Sequence, residues 1–426
     1  MLQTNTKTLA KLLNINCVTN VEFSGIFTDT RQPMHGGVFL AIIGDNFDGH
    51  DYLEQAKVMG AVGVIVSKHV TTNLPILLVK DTQKALSKIA KFHLNNLRPK
   101  TIAITGSNGK TTTKNLLANI LNRVAPTLKT QGNLNNHLGV PMTLLNLEDK
   151  HQYAVIEMGA NHLGEIKQLR ELVTPDIAIV TNTGDAHIGE FGSKEKLISA
   201  KGEIYSTDSI NIVNTDTNYS GDLSFTPQGG TRTSGKGGDV FASNIRQSEF
   251  TLNIKSQTIN INLQLIGEHN IDNALAASAC AAALNIDIQL IKQGLEATPA
   301  EPGRLNAIQT KQFTLIDDTY NASPTSIQAA LNTLKTYSGE LVVVLGDMAE
   351  LGENEITLHQ QTGALARTIT PNLYSFGSLA KHYQAQHFNS QEHLAEHLIN
   401  HHADATILVK GSRIAKLDQL ITLLQK

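Results

Sequence analysis

The stretch Thr101-Ile-Ala-Ile-Thr-Gly-Ser-Asn-Gly-Lys-Thr-Thr112 places a short apolar run before a glycine-rich turn. The apolar run predicts a buried strand over Thr101–Thr105, and the residues from Lys110 to about Arg123 predict a helix. Glycines in such a turn let backbone N–H groups approach an anion closely, and the N-terminus of the following helix adds favourable partial charge. The stretch therefore predicts a phosphate-binding loop between a strand and a helix.

This loop differs in spacing from the common pattern G-x-x-x-x-G-K-T. Counting back from Gly109 puts the first glycine of that pattern at position 104, which is Ile104, whereas the loop has Gly106. An ordinary P-loop motor, GTPase or kinase is therefore less favoured than a nucleotide site of a variant kind. A Gly-Lys turn without a ligand is the alternative, which the strand–turn–helix context disfavours. The residues predicted to bind the nucleotide here are Gly106, Ser107, Asn108, Gly109, Lys110, Thr111 and Thr112.

Two of these side chains have specific roles. Lys110 can reach the β and γ phosphates, and the Thr111 hydroxyl suits Mg²⁺.

Strands alternate with helices on both sides of the loop, which predicts α/β folding with parallel sheets. The fold class is α/β with three domains, over residues 1–83, 84–299 and 300–426, the central one a P-loop ATPase domain with a parallel sheet. The second boundary falls at Thr298–Gly303, where two prolines and a glycine interrupt the pattern.

The other predicted strands are Val38–Ile43, Ala61–Val66, Ala154–Glu157, Ile177–Thr181, Gln257–Leu265 (antiparallel), Phe313–Asp317, Leu341–Leu345, Leu373–Phe376 and Thr406–Val409. The other predicted helices are Asp51–Met59, Lys84–Leu97, Lys194–Tyr205 and Asn270–Ala283, and Ser206–Asp239 is predicted as turns and loop.

Composition excludes several classes of protein. The chain has 426 residues, 41% of them hydrophobic and 17% charged, and a net charge of −3 without a long block of one sign. That balance disfavours nucleic-acid or membrane-surface binding. The two cysteines, Cys17 and Cys280, indicate buried thiols rather than a metal cluster or disulfide framework. No signal peptide or membrane-spanning stretch is recognisable, so we expect a cytoplasmic protein without membrane insertion.

Three further residues stand near the ends of predicted elements: Glu157, His187 and Lys201. In an open parallel sheet, ligands gather at the carboxyl ends of the strands, so Glu157 and His187 are predicted to converge on the phosphate loop. A carboxylate and an imidazole near a triphosphate suggest a second Mg²⁺. Taken singly, Glu157 could cap a helix, His187 could be a satisfied loop histidine, and Lys201 could be a solvated helix residue.

Over nearly its whole length, the sequence resembles the Mur ligases, and within them the branch that adds D-alanyl-D-alanine. The phosphate loop alone is shared with the wider Mur and folylpolyglutamate synthetase group, whereas Asp317–Pro324 and the N-terminal set are more specific to that branch. His137 departs from the family pattern, which often has an acidic residue there, and Ser206–Asp239 is less similar. The shared motifs lie at residues 28–31, 36–40, 44–50, 105–113, 131–136, 139–141, 157–160, 185–187, 200–203, 267–270 with Asn273, 303–304, 317–324, 346–348, 350–352 and 410–413.

This resemblance implies a cell-wall (peptidoglycan) enzyme that joins D-alanyl-D-alanine to UDP-N-acetylmuramoyl-tripeptide with ATP and Mg²⁺. The first domain would hold the UDP-sugar, the central one ATP, and the Rossmann-like C-terminal domain the dipeptide. Asn273 would approach adenine, Arg304 the γ phosphate and Asp318 the ribose. The UDP-sugar residues implied are Thr28, Asp29, Thr30, Arg31, Asn46, Asn133, Asn135 and Asn136.

The family also carries a carbamylated lysine, and its motif falls on Lys201. The implied metal ligands are Thr111, Glu157, His187 and carbamylated Lys201, and the implied catalytic residues are Lys110, Lys201, His187, Glu157 and Arg304. A monomer is expected. The alternatives are a sister Mur ligase, a folylpolyglutamate-type ligase, or a nucleotide-binding protein that switches or scaffolds without ligating anything. Neither the third residue of the tripeptide nor the base for the incoming amine is legible in the sequence.

Overall fold

The computed structural model describes residues 1–32, 34–44, 46–184, 191–226 and 238–426. Tertiary contacts divide the chain into two compact units. Unit 1 comprises residues 1–103, 125–159 and 165–176, and unit 2 comprises residues 104–124, 160–164 and 177–426. The predicted ranges 1–83, 84–299 and 300–426 are a different partition of the chain, and they stay a prediction.

Unit 1 contains a four-stranded parallel sheet with the strand order Ile26–Phe27, Val38–Leu40, Gly63–Val66 and Ile76–Leu78. Its other strands form three pairs: Gln3–Asn5 with Glu22–Ser24 and Ile43–Gly44 with Phe47–Asp48, both antiparallel, and Thr127–Lys129 with Tyr153–Glu157, parallel. Its helices are Thr6–Leu13, Leu53–Val58, Thr82–Leu97, Gly139–Leu144 and Glu165–Val173, with a 3-10 turn at Gly49–Tyr52.

The helix Thr82–Leu97 has clear sequence signals at both ends. The Asp81 carboxylate accepts a hydrogen bond from the Lys84 amide at 3.0 Å, which satisfies one amide that the first turn leaves unpaired. At the other end Arg98 adopts a left-handed φ of 48°, and Pro99 prevents further helix.

Two predictions in unit 1 need correction. The expected strand Val38–Ile43 is two strands, Val38–Leu40 and Ile43–Gly44, because the chain turns to pair with Phe47–Asp48. Cys280 is buried as expected, but Cys17 is only partly so.

The first half of unit 2 is built on six strands in spatial order: Ile177–Val180, Ile210–Asn214, Leu223–Thr226, Val240–Arg246, Glu249–Ile254 and Gln257–Asn262. The first four strands run parallel, and Glu249–Ile254 pairs antiparallel with both Val240–Arg246 and Gln257–Asn262, as expected for the parallel sheet and for the alternating run at its end. The expectation of only turns and loop over Ser206–Asp239 is wrong, since Ile210–Asn214 and Leu223–Thr226 are strands. Both strands contain apolar residues that pack in the folded sheet, where Ile212 lies beside Leu223, although the residues around them are mostly polar.

The helix Lys110–Leu121 follows the phosphate loop and packs against two helices, His269–Ala283 and Ile288–Glu296. Gly294 makes the second of these contacts possible. A Cβ at this position would lie 2.4 Å from the Ile120 Cα and 2.6 Å from the Ile120 amide nitrogen. The backbones of the two helices are therefore too close for any side chain larger than hydrogen. A further helix, Lys194–Gly202, carries Lys201.

The second half of unit 2 is a doubly wound α/β sheet, which confirms the predicted C-terminal architecture. Its strand order is Asn306–Gln309, Thr314–Asp318, Thr406–Lys410, Leu341–Gly346, Leu373–Phe376 and Gln386–Phe388, and only the first strand is antiparallel. The helices beside it are Pro324–Leu334, Glu355–Arg367, Gln391–His401 and Asp418–Leu424.

Alternate residues of its central strand enter different hydrophobic clusters. Val343 and Leu345 pack in one and Val342 and Val344 in the other, so both faces of the sheet are buried. The helix Pro324–Leu334 begins with a reciprocal cap between Ser323 and Ser326.

We expect Gly294→Ala to lower the free energy of unfolding by about 1–3 kcal/mol, because the methyl group must push two backbones apart. Thermal or denaturant unfolding followed by circular dichroism measures the change. Gln293→Ala, at an exposed position on the same helix, is the matched control, with an expected change within about 0.5 kcal/mol. Equal stability of both variants would show that the helices can separate at no cost.

Candidate nucleotide-binding site

The two glycines of the phosphate loop, residues 106–112, are required by contacts with other parts of unit 2. Gly109 has φ +79°, and a Cβ there would lie 2.1 Å from the Asn273 Oδ1. Gly106 has φ +149°, and its Cβ would lie 2.0 Å from the Thr181 Oγ1. Both the backbone conformation and the space exclude side chains. The loop therefore turns tightly between the strand that ends at Thr105 and the helix that begins at Lys110.

Side chains at the end of the neighbouring strand Ile177–Val180 hold the loop in place. The Thr181 hydroxyl and the Asn182 amide donate to the Asn108 carbonyl at 2.7 and 3.0 Å, and the Asn108 amide donates to the Asn182 Oδ1 at 3.1 Å. The Ser107 hydroxyl donates to the Gly184 carbonyl at 2.8 Å. Sequence reasoning missed Thr181 and Asn182, although their place directly after a buried parallel strand was a usable signal.

Lys110 and Thr111 begin the helix beyond the loop. The Lys110 Nζ donates to the carbonyls of Gly106 and Ser107 at 2.7 and 3.2 Å, so its ammonium lies along the loop. The Thr111 hydroxyl is buried and accepts a hydrogen bond from the Arg304 Nη2 at 3.1 Å. A cation from the C-terminal half of the chain is thus brought to the residue predicted to hold Mg²⁺.

Arg304 is itself held by its neighbours. Its guanidinium carbon lies 3.8 Å from the centre of the Tyr320 ring, and its Nε lies 3.9 Å from the Glu301 Oε2. Stacking on an aromatic face restricts a guanidinium to one plane and stabilises its charge. Tyr320 belongs to the Asp317–Pro324 motif, so this motif and the phosphate loop meet through Arg304.

Two cavities border the loop, with volumes of about 450 and 250 Å³. Asn273 lines both, and its side-chain amide donates to the Asn270 Oδ1 at 3.0 Å. Burial lowers the pKa of His269, which also lines both cavities, so its imidazole is neutral near pH 7. The smaller cavity also includes Thr112, Arg304 and Asp318. The Asp318 carboxylate already accepts hydrogen bonds from the Leu305 amide at 3.2 Å and the Lys410 ammonium at 2.6 Å.

Glu157 lies in unit 1, at the end of the strand Tyr153–Glu157, and is 2% exposed. Its Oε1 accepts a hydrogen bond from the Asn135 side-chain amide at 2.8 Å, and its backbone amide donates to the Thr130 hydroxyl at 2.9 Å. A buried carboxylate fixed in this way is a suitable hard ligand for Mg²⁺. One residue predicted for the UDP-sugar, Asn135, therefore orients one predicted for the metal.

Lys201 lies in unit 2 on the helix Lys194–Gly202, and its side chain is fully buried. Its Nζ lies 3.4 Å from the Ala160 carbonyl and 5.3 Å from the centre of the Phe191 ring. His187 falls outside the described residues. Among the residues that the structure does describe, no group of three or more histidine, cysteine, aspartate or glutamate side chains could hold a metal. The predicted ligand set combines a threonine, His187 and a modified lysine with a single carboxylate, so this finding does not test it.

The other residues predicted for the UDP-sugar lie in unit 1. The Asp29 carboxylate accepts hydrogen bonds from the Arg31 Nε at 2.9 Å and Nη2 at 2.7 Å, and the guanidinium lowers the pKa of Asp29. The Thr28 hydroxyl lies 3.9 Å from the Met142 sulfur. The Asn136 Oδ1 accepts hydrogen bonds from two amides of the following turn, at Leu138 and Gly139. Asn46, Asn133 and Asn136 are exposed, and Thr30 is buried.

Phe47, next to Asn46, is an exposed apolar side chain, and nothing in the sequence pattern indicates that it is exposed. Phe47 is 52% exposed on the short hairpin that it forms with Ile43–Gly44. An exposed aromatic beside polar groups suits a ligand with a flat ring.

The loop, its helix and the Arg304 contact define a nucleotide-binding α/β protein of a variant P-loop kind. Comparison with known families agrees with this class and narrows it. The sequence profile described as "Mur ligase middle domain" matches residues 104–281, and the profile described as "Mur ligase, glutamate ligase domain" matches residues 303–413. The chain belongs to the Mur ligase family.

Curated relatives match over almost the full chain. The UDP-N-acetylmuramoyl-tripeptide–D-alanyl-D-alanine ligase of Haemophilus influenzae is 36% identical, with 99% of this chain and 98% of the relative covered. The enzyme of the same name from Escherichia coli is 38% identical, with 96% of this chain and 95% of the relative covered.

Solved structures agree with these matches. A crystal structure of MurF from Acinetobacter baumannii has a TM-score of 0.91 and 35% identity, and covers 100% of this chain and 99% of its own. MurF from Thermotoga maritima in complex with ADP has a TM-score of 0.84 and 26% identity, and covers 94% of this chain and 97% of its own. No helix in the described part of the chain is both long enough and apolar enough to cross a membrane.

We expect Gly109→Ala to weaken binding of ADP and ATP by at least about ten-fold, because the methyl group would displace Asn273 and strain the turn. Titration with a fluorescent ADP analogue measures the change. Gly339→Ala is the control, since Gly339 has a similar φ of +89° but open space around its Cβ position. Unchanged affinity in Gly109→Ala would contradict the assignment of this turn as the phosphate site.

Proposed function

We propose that this chain is the ATP-dependent ligase that joins D-alanyl-D-alanine to UDP-N-acetylmuramoyl-tripeptide, giving the UDP-linked pentapeptide used for peptidoglycan. The observation that carries the proposal is the contact of Arg304 with Thr111 at the phosphate loop, because it brings the C-terminal sheet to the nucleotide site. The relatives at 36–38% identity carry this ligase name over nearly their whole lengths. No observation favours a sister ligase or a non-catalytic nucleotide-binding protein.

The reaction requires activation of a carboxylate. The tripeptide carboxylate attacks the γ phosphorus of ATP, ADP leaves, and an acyl phosphate forms. The dipeptide amine then attacks the acyl carbon, loses a proton, and expels phosphate as the amide forms. Most of the catalysis is alignment and neutralisation of charge rather than covalent chemistry by the protein.

The side chains at the loop have roles that follow from their positions. Lys110 lies along the loop and supplies positive charge to the β and γ phosphates, and Arg304 supplies it from the opposite half of unit 2. Gly106 and Gly109 allow the amides of the loop to face the phosphates. Asn273 lies beside Gly109 and lines both cavities, where it would meet the adenine, and Asp318 would meet the ribose.

Mg²⁺, when bound, neutralises charge on the phosphate oxygens. Thr111, Glu157, His187 and carbamylated Lys201 are the ligands that we propose for it. Thr111 and Glu157 offer buried oxygens, which fit the preference of Mg²⁺ for hard ligands. We further propose that unit 1 binds the UDP-sugar through Thr28, Asp29, Thr30, Arg31, Asn46, Asn133, Asn135 and Asn136, and that the C-terminal half of unit 2 receives the dipeptide.

We propose that Lys201 carries a carbamate. Its side chain is fully buried, and an ammonium loses its hydration when it is buried. Addition of CO₂ to the neutral amine gives a carbamate anion and releases a proton, which converts the side chain into an oxygen ligand for a cation. Cytoplasmic localisation and a monomeric state accompany this proposal as predictions from the sequence.

The overall activity is tested by phosphate release from ATP in the presence of UDP-N-acetylmuramoyl-tripeptide, with and without D-alanyl-D-alanine. We expect release that requires both substrates, together with formation of the pentapeptide, read by mass spectrometry. Release with a different amine would assign the chain to a sister ligase instead. Phosphate release that does not depend on either substrate would rule out ligation.

We expect Lys201→Ala to be nearly inactive, with a loss of at least about 100-fold since a metal ligand is removed, and to be partly rescued by formate or acetate. Lys196→Ala, at an exposed position on the same helix, is the matched control and should keep full activity. ¹³C NMR after incubation with labelled bicarbonate should show a carbamate signal in the parent protein and none in Lys201→Ala. Full activity of Lys201→Ala, or no carbamate signal in the parent protein, would end the carbamate proposal.

A further inference from the structure

Three polar side chains, Thr111, Asn115 and Asn119, are spaced four residues apart on the helix Lys110–Leu121. This spacing places them on one face of the helix, one above the other. Thr111 belongs to the phosphate loop, whereas Asn115 and Asn119 lie one and two turns beyond it. Nothing in the reaction as described above uses these two asparagines.

Each of these three side chains contacts a residue of the segment 298–304, which we call the linker, and the contacts follow in reverse order along the chain. The Arg304 Nη2 donates to the Thr111 hydroxyl at 3.1 Å. The Asn115 side-chain amide donates to the Glu301 Oε1, and the Asn119 side-chain amide donates to the Thr298 hydroxyl at 2.9 Å. The linker therefore runs antiparallel along the helix, with one contact per turn.

The middle contact is also connected to Arg304. The Glu301 carboxylate accepts from Asn115 through Oε1, and its Oε2 lies 3.9 Å from the Arg304 Nε. The Arg304 amide donates to the Glu301 carbonyl at 3.1 Å, so the two residues form one tight turn. Asn115 is only 5% exposed, and the Glu301 side chain is 43% exposed. The buried amide thus fixes a carboxylate that would otherwise be free to turn toward solvent.

We propose that Asn115 and Glu301 are positioning residues for Arg304. Asn115 holds the Glu301 carboxylate, and that carboxylate, together with the Tyr320 ring, directs the guanidinium toward the phosphate loop. A long arginine side chain has many rotamers, and holding it in the reactive one before ATP arrives removes part of the entropic cost of the reaction. The inference rests on the proposed function, because it takes Arg304 as the group that meets the γ phosphate.

Asn115→Ala tests this proposal in the full-length protein. We expect kcat to fall about ten-fold, with KM for ATP changed by less than about two-fold, since a charge that acts mainly in the transition state is misplaced. ADP affinity should be unchanged, because ADP lacks the phosphate that Arg304 meets. Asn119→Ala, which removes the next contact on the same face of the helix, is the matched control and should keep kcat within about two-fold.

A double-mutant cycle separates positioning from general destabilisation. If Asn115 acts through Arg304, the variant with both Asn115→Ala and Arg304→Ala should be no slower than Arg304→Ala alone. Losses that multiply in the double variant, or equal losses of kcat in Asn115→Ala and Asn119→Ala, would overturn the proposal. Thermal unfolding of each variant shows whether it is folded.

If Asn115→Ala does not fold, Glu301→Gln takes its place in the double-mutant cycle. The Glu301 side chain is partly exposed, so the change should not disturb folding, and the new glutamine keeps an oxygen that can accept a hydrogen bond from Asn115. The kcat of this variant should fall several-fold while the ADP affinity stays constant, and an unchanged kcat would overturn the proposal. Absence of ligation by the parent protein would instead mark the failure of the proposed function, independently of these variants.

Discussion

The site depends on the close approach of the phosphate-loop backbone to two side chains from other parts of unit 2. Thr181 meets the loop at Gly106 and Asn273 meets it at Gly109, in both cases at distances that leave no room for a Cβ. Backbone amides can surround phosphate oxygens only when the chain turns this tightly. The same constraint fixes the start of the helix Lys110–Leu121, and with it Lys110 and Thr111. Gly294 allows the C-terminal end of that helix to pack closely against the helix Ile288–Glu296.

The helix Lys110–Leu121 connects the phosphate site with the segment that leads into the C-terminal sheet. Its first turn meets the phosphates, and its polar face holds residues 298–304 as they lead into the C-terminal sheet. Asp318 and Lys410 lie at the carboxyl ends of neighbouring parallel strands in that sheet and pair with each other at the cavity. Ligand sites in open α/β sheets commonly form at such ends. Arg304 lies just before the first strand of this sheet and contacts Thr111 at the nucleotide site.

The sequence was most informative where function depends on local backbone geometry. The run from Thr101 to Thr112 predicted a strand, a tight turn and a helix because each is encoded by adjacent residues. Its contacts with Thr181 and Asn273 are not encoded by adjacent residues, since both partners lie far along the chain. The Asn115–Glu301 contact was hidden for the same reason, because an asparagine on a helix resembles any solvated residue until the linker is placed beside it. The strands Ile210–Asn214 and Leu223–Thr226 were missed because the segment around them is rich in polar residues that indicate turns, and the pairing with parallel neighbours is not visible in the sequence.

The central claim is that the chain activates a peptide carboxylate by transfer of the γ phosphoryl group, and isotope transfer tests it most directly. UDP-N-acetylmuramoyl-tripeptide labelled with ¹⁸O in the reacting carboxylate would be ligated to D-alanyl-D-alanine, and the released phosphate analysed by mass spectrometry. An acyl phosphate requires that one labelled oxygen from each reacting carboxylate appears in the phosphate, with the other retained in the new amide. Pentapeptide formation with phosphate that carries no label would contradict the account, because the carboxylate oxygen would then never have been bonded to phosphorus.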